Sequence, residues 1–171
     1  MTGAVPGPRR PRSSRRPAAL GWIVAVLMVA LDQLSKLWAV AHLPAGQVRS
    51  LGPGLRQLRQ VNNTGAAFSL FTGSTLPLAV VSLVVAIAVA VLLVRRPPTK
   101  LLPALALGFL LGGAVGNGID RWRLGAVIDF LEFVPVSFPV FNVADVAINL
   151  AVLCFALDTL AGLRREGSHD A

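Results

Sequence analysis

LPLAVVSLVVAIAVAVLLV, residues 76–94, runs for nineteen residues without a charged side chain. A helix needs about 20 predominantly apolar residues to cross the hydrocarbon core of a bilayer, so this stretch reads as a membrane span. Three more stretches of similar length lie on either side of it, roughly Leu20–Leu43, Leu101–Gly118 and Ala144–Leu163. Four spans of about 20 residues use some 80 positions and leave short connections, one longer loop and two tails. The composition agrees: 54% of the 171 residues are hydrophobic and 14% charged, where a soluble domain carries about 25% charged residues. The expected fold class is therefore an all-α integral membrane protein with four transmembrane helices. The loop at about 44–75 is longer than a plain connection. Gly46, Gly52, Pro53 and Gly54 punctuate it, and Gln47–Leu51 and Leu55–Val61 read as short strands of a small extracytoplasmic β-platform.

The net charge of +8 is sorted by position rather than gathered on a nucleic-acid-binding surface, so no nucleic-acid partner is expected. Arg9, Arg10, Arg12, Arg15 and Arg16 precede the first span, Arg95, Arg96 and Lys100 lie between the second and third, and Arg164 and Arg165 follow the fourth. These are ten of the sixteen basic residues, and the positive-inside rule places their side in the cytoplasm. Both termini are then cytoplasmic, and residues near 44–75 and 119–143 face outward. Residues 1–17 read as a disordered basic tail, 18–165 as one membrane domain and 166–171 as a second tail. Arg15-Arg16 and Ala39-Val40-Ala41 loosely match export-signal features, but the apolar run is too long for a signal core and Asp32 and Lys36 interrupt it, so the first span stays uncleaved.

Gly108, Gly112 and Gly116 recur every four residues, which sets three glycines on one face where another helix can approach closely. Carboxylates in or near hydrocarbon are costly unless paired or hydrated, which singles out Asp32, Asp129, Asp145 and Asp158. Asp158 reads as solvated at the cytoplasmic end of its span. Asp32 and Lys36, four apart, share a helix face as an ion pair or as support for a site. Asn142, Asp145 and Asn149 share a face if the last helix starts near Asn142, a residue suited to an N-cap. Asp129 lies in an alternating stretch, Val127 to Leu131, that suits a short extended segment. Cys154 is mid-span and reads as packing. One cysteine and two distant histidines, His42 and His169, make a zinc site improbable, and a Ser69–His42 couple has no third group to orient it. No metal and no cofactor are expected. Paired aspartates remain: close carboxylates share a proton, so one can serve as general base on water while the other donates to the attacked carbonyl.

Five segments together resemble the lipoprotein signal peptidases, also called signal peptidase II: Leu31-Asp-Gln-Leu-Ser-Lys36, Asn63-Thr-Gly-Ala-Ala-Phe68, Gly116-Asn-Gly-Ile-Asp-Arg121, Gly125-Ala-Val-Ile-Asp-Phe130 and Phe141-Asn-Val-Ala-Asp145. They follow the order and spacing of that family across nearly all of the chain after residue 20. The resemblance implies a bacterial inner-membrane aspartic endopeptidase. Such an enzyme removes the signal peptide from a prolipoprotein just before a diacylglyceryl-modified cysteine. It implies Asp129 and Asp145 as the catalytic dyad. Asn63, Arg121 and Asn142 become site-supporting or substrate-contacting residues, and Asp32, Lys36, Gly65 and Asn117 residues that shape the site. Its expected partners are the diacylglyceryl-modified substrate and membrane lipid, with the chain acting as a monomer. Two features depart from the family pattern: Ala151 stands where a glycine is usual, and the arginine-rich tail is longer than the family core requires. The rival readings are a small ion- or proton-coupled transporter using Asp32 and Asp145 as a relay, and a non-catalytic assembly subunit packing through its glycine face. An intramembrane protease of the presenilin type would need Gly-x-Gly-Asp, and Gly116-Asn-Gly-Ile-Asp120 has one residue too many.

Overall fold

The computed structural model describes residues 15–43, 48–50, 57–65, 75–133 and 138–167. Most of the basic tail before residue 15, the far end of the C-terminal tail and Ser69 lie outside the described residues.

Four long helices carry the fold: α1 (Arg15–His42), α2 (Thr75–Arg95), α3 (Leu101–Leu124) and α4 (Val143–Gly167). At a rise of about 1.5 Å per residue, each exceeds the ~30 Å of a bilayer core. All four are apolar enough to cross a membrane. Large apolar side chains such as Ile23, Leu34, Val84, Leu153 and Leu160 are exposed on α1, α2 and α4, as they would be against lipid tails rather than water.

Three helix ends differ from the sequence expectation, the fourth helix running past Leu163 to Gly167. The first helix already begins at Arg15, inside the stretch read as a tail to residue 17. The third continues six residues past Gly118, to Leu124, and stops where Gly125 adopts φ 70° and donates its N–H to Arg121 O. That left-handed conformation is one a glycine takes without a Cβ penalty. The polar run Asn117–Arg123 is thus helical, not loop.

The central helix is α3, packed against α1, α2 and α4, whereas α2 rests chiefly on α3. The glycine face explains the closeness of α1. A Cβ at Gly108 would stand 2.5 Å from Gly21 O, and one at Gly112 2.5 Å from Met28 Cβ. Gly113, on an adjoining face, does the same for α4: a Cβ there would lie 2.6 Å from Ala144 O. Ala25, Val89, Leu93 and Leu111 form a buried apolar cluster among α1, α2 and α3.

At one end of the bundle sits a three-stranded antiparallel sheet of β1 (Arg49–Ser50), β2 (Gln57–Asn63) and β3 (Val127–Glu132), in that order. The extended reading of 127–131 and the two-strand reading of the long loop both correspond to it, with β2 running two residues further than expected, through Asn63. Val61 pairs with Asp129 and Asn63 with Val127. Side chains alternate faces along a strand, so Val61, Asn63, Val127 and Asp129 share one. Ala39 of α1 and Leu43 just past its end pack with Leu58 and Phe130 and seat the sheet on the bundle. Phe130 N and Leu131 N both donate to Phe141 O. This bridge brings Asn142, the residue before α4, beside β3.

Candidate active site

The site is built outward from a buried ammonium. Lys36 Nζ lies 2.9 Å from Asp32 Oδ2, one turn earlier on α1, and 2.7 Å from Asp120 Oδ2 on α3. It also donates to Asn117 Oδ1 at 3.0 Å. Lys36, Asp32, Asn117 and Asp120 are all buried, and charges removed from solvent are tolerated only when paired and hydrogen-bonded. Two carboxylates face one ammonium here, and neutral donors stabilise the excess negative charge. Gln33 Nε2 reaches Asp32 Oδ2 and Asp120 Oδ1, each at 3.1 Å. Ile128 N donates to Asp120 Oδ2 at 3.2 Å, and Ala144 N to Asp32 Oδ1 at 2.9 Å. Gly116 permits this approach, since a Cβ there would be 2.6 Å from Asp32 Oδ2. Asp32 and Lys36 are thus both things the sequence allowed, an ion pair and a support.

That ammonium fixes the direction of two amides. Lysine has donors and no acceptor, so Asn117 must turn Oδ1 toward it. Its Nδ2 then donates to Asp145 Oδ1 at 2.8 Å. Asn142 Nδ2 also donates to Asn117 Oδ1, at 3.0 Å, and to Asp129 Oδ1 at 2.6 Å. The Asn142 oxygen is left facing α4, where it accepts from Asp145 N at 2.9 Å. Asn142 N returns a bond to Asp145 Oδ2 at 3.1 Å. The pair is a reciprocal cap in which an aspartate fills the place usually held by Glu or Gln. On the other side Asn63 Nδ2 donates to Asp129 Oδ2 at 3.0 Å, while its Oδ1 accepts from Gly65 N at 2.9 Å. Every carboxylate oxygen of Asp129 and Asp145 therefore receives an N–H.

Asp129 is buried. Burial pushes its carboxyl up to about 6, because desolvation penalises the ionised form. The hydrogen bond from Asn63 opposes the rise, the negative charge of Asp145 adds to it, and the Asn142 bond and the Lys36 charge oppose it more weakly. Both aspartates line one cleft of about 1110 Å³ between α2, α3, α4 and the sheet. Its polar wall holds Asn63, Asn117 and Arg121, and its apolar wall includes Val81, Val85 and Leu153. Arg121 donates from Nη1 to Ser82 Oγ at 3.3 Å and from Nη2 to Gly65 O at 3.4 Å. Two coupled carboxylates in a mostly apolar cleft have the makings of a general acid–base pair.

The sequence pattern of the Signal peptidase (SPase) II family matches residues 24–161. The chain belongs to the signal peptidase II family. It is 53% identical over 144 residues to the lipoprotein signal peptidase of Parasynechococcus marenigrum (strain WH8102), covering 84% of this chain and 89% of that one. It is 47% identical over 139 residues to the lipoprotein signal peptidase of Gloeobacter violaceus, covering 81% and 80%. Among solved structures it resembles a bacterial membrane enzyme determined by the in meso method at 2.3 Å, with a TM-score of 0.78, 26% identity and coverage of 84% and 88%.

In this signal peptidase II chain the nine residues that the resemblance assigned to the site converge on the sheet end of the bundle. Five of them line the cleft, Asn142 and Gly65 are hydrogen-bonded to cleft residues, and Asp32 and Lys36 stand behind it. Asp120, Gln33 and Ser82 complete the network and carried no assignment from the sequence. Asp120 had a usable signal, an acid directly after the glycine face of an apolar span. Asp158 stands outside the site, 3.9 Å from Lys100 at the opposite end of the bundle. His42 stacks on Trp38 and pairs with Trp38 O, and Cys154 and Ala151 are buried in α4.

Proposed function

We propose that this signal peptidase II chain hydrolyses the peptide bond before a diacylglyceryl-modified cysteine of a prolipoprotein, with Asp129 and Asp145 activating the water. One observation carries the reading: a single residue, Asn142, hydrogen-bonds both carboxylates, so the two are held at one depth around one point. With one proton between them, the ionised carboxylate takes a proton from water as it attacks. The protonated one donates to the carbonyl oxygen; the proton taken from water then passes to the leaving amine as the C–N bond breaks, and the gem-diol hydroxyl returns its proton to the second carboxylate. Asn63 and Asn117 hold the carboxylates from behind, and Arg121 binds main-chain carbonyls of the substrate. The signal helix lies along the apolar wall formed by α2, α3 and α4, and the acyl chains remain in lipid. The asymmetry of basic residues turns the sheet end outward from the bacterial inner membrane, with both termini in the cytoplasm. The chain acts as a single domain and as a monomer.

The test is cleavage of a lipid-modified prolipoprotein by the purified protein, with the unmodified precursor as control. Asp129→Asn and Asp145→Asn are each expected to lower kcat by roughly 10⁴-fold or more, the scale seen when one member of a catalytic set is removed. Normal processing by either folded variant would end the dyad reading.

A further inference from the structure

Ser82 stands apart in α2. It is the one hydroxyl inside a helix whose other interior residues are apolar, and a polar side chain in a span usually faces protein and marks function. Its own proton goes to Leu78 O at 3.0 Å, one turn back, so its oxygen is left to accept. The partner is Arg121 Nη1. Gly118 faces Ser82 across the helix pair: a Cβ there would meet Ser82 Cβ at 3.4 Å, an ordinary contact, so α2 and α3 come together at this point, one turn before Arg121. The other arm of the guanidinium is held by Gly65 O in the turn after β2. Arg121 is the one Lys or Arg among the described residues lining the cleft, and a guanidinium has more donors than these two acceptors use.

We propose that Ser82 is a positioning residue that holds Arg121 across the cleft, so that its free N–H groups meet the main-chain carbonyls of the substrate segment entering beside the dyad. This rests on the peptidase reading above. Without the hydroxyl, one arm of the guanidinium is released, and its N–H groups lose the direction that aims them at the substrate. Ground-state binding suffers, while the dyad, held by Asn63, Asn117 and Asn142, does not.

The experiment measures KM and kcat for a lipid-modified prolipoprotein with the wild type, Ser82→Val, Ser82→Thr, Arg121→Lys and Ser82→Val/Arg121→Lys. Ser82→Val is expected to raise KM by about 5–10-fold, in the range of a lost hydrogen bond to a charged group, with kcat within about twofold. Ser82→Thr restores the wild-type KM, and the double variant is no worse than Arg121→Lys alone. A KM unchanged in Ser82→Val, equal impairment by Thr, or costs that simply multiply would each overturn the role of Ser82 while leaving the peptidase reading intact. A wild type that leaves the lipid-modified precursor uncut would overturn both.

Discussion

Helices α2 and α3 are of similar length and both span the bundle, yet they are built from opposite materials. In its most apolar window α2 has 17% of its residues buried, and α3 has 56%. The buried helix is the one with Gly108, Gly112, Gly113, Gly116, Asn117 and Asp120, and the exposed one is nearly all Val, Leu, Ile and Ala. In water the apolar helix would be the interior one. Here lipid is the solvent, so apolarity marks the outside, and small or polar residues mark the protein interior. The site gathers around α3 because that helix packs against α1, α2 and α4, and α1 and α4 supply partners for its polar groups.

Three measurements can break or sharpen this contrast. The largest effect is expected on α3. Gly108→Leu drives a side chain into Gly21 O and Val24, and backbone cannot yield there. A loss of about 3 kcal/mol or more is expected, read as loss of monodisperse protein in detergent. An intermediate effect probes the polar end that α2 lacks. Because Asp129 sits at about 6 against an ordinary 3.8, the folded protein keeps a proton that the unfolded chain has lost between roughly pH 4 and 6. Stability therefore falls as pH rises through that window. Relative to Asp129→Asn, which has no carboxyl at this position, the wild type is expected to lose on the order of 2 kcal/mol between pH 4 and 7, at ~1.36 kcal/mol per pKa unit, seen as a fall in Tm steeper than the variant's. The smallest effect belongs to α2: Val84→Ala on its exposed face is expected to stay within about 0.5 kcal/mol in a melt in detergent. A cost there rivalling that of Gly108→Leu would erase the distinction between the two helices.

The same contrast explains what was legible in the sequence. Hydropathy located all four spans, and the spacing of Gly108, Gly112 and Gly116 located the interior helix, because both signals are local and periodic. Asn142 was readable as a cap, since capping depends on its neighbours in the chain. Asp120 was not readable in the same way. The apolar run ends at Gly118, and hydropathy ended the helix with it, leaving Asp120 and Arg121 in an assumed loop. Six further helical residues exist because α1, α4 and the sheet surround them and supply Lys36, Gln33 and Ile128 N, partners distant in sequence. Asn63 shows the same limit. Its motif marked it as site-supporting or substrate-contacting, but only the pairing of β2 with β3 directs its amide to Asp129.

The carboxylate of Asp32 accepts from Ala144 N, tying the first membrane helix to the start of the last. Translation delivers these elements in order, so Asp32 and Lys36 enter the bilayer long before Asn117 and Asp120, and Asp145 arrives with the final helix. A chain that has threaded only its first three helices lacks Asp145 and the Asn142 that hydrogen-bonds both it and Asp129. On the dyad proposed above, activity therefore waits for the fourth helix to dock.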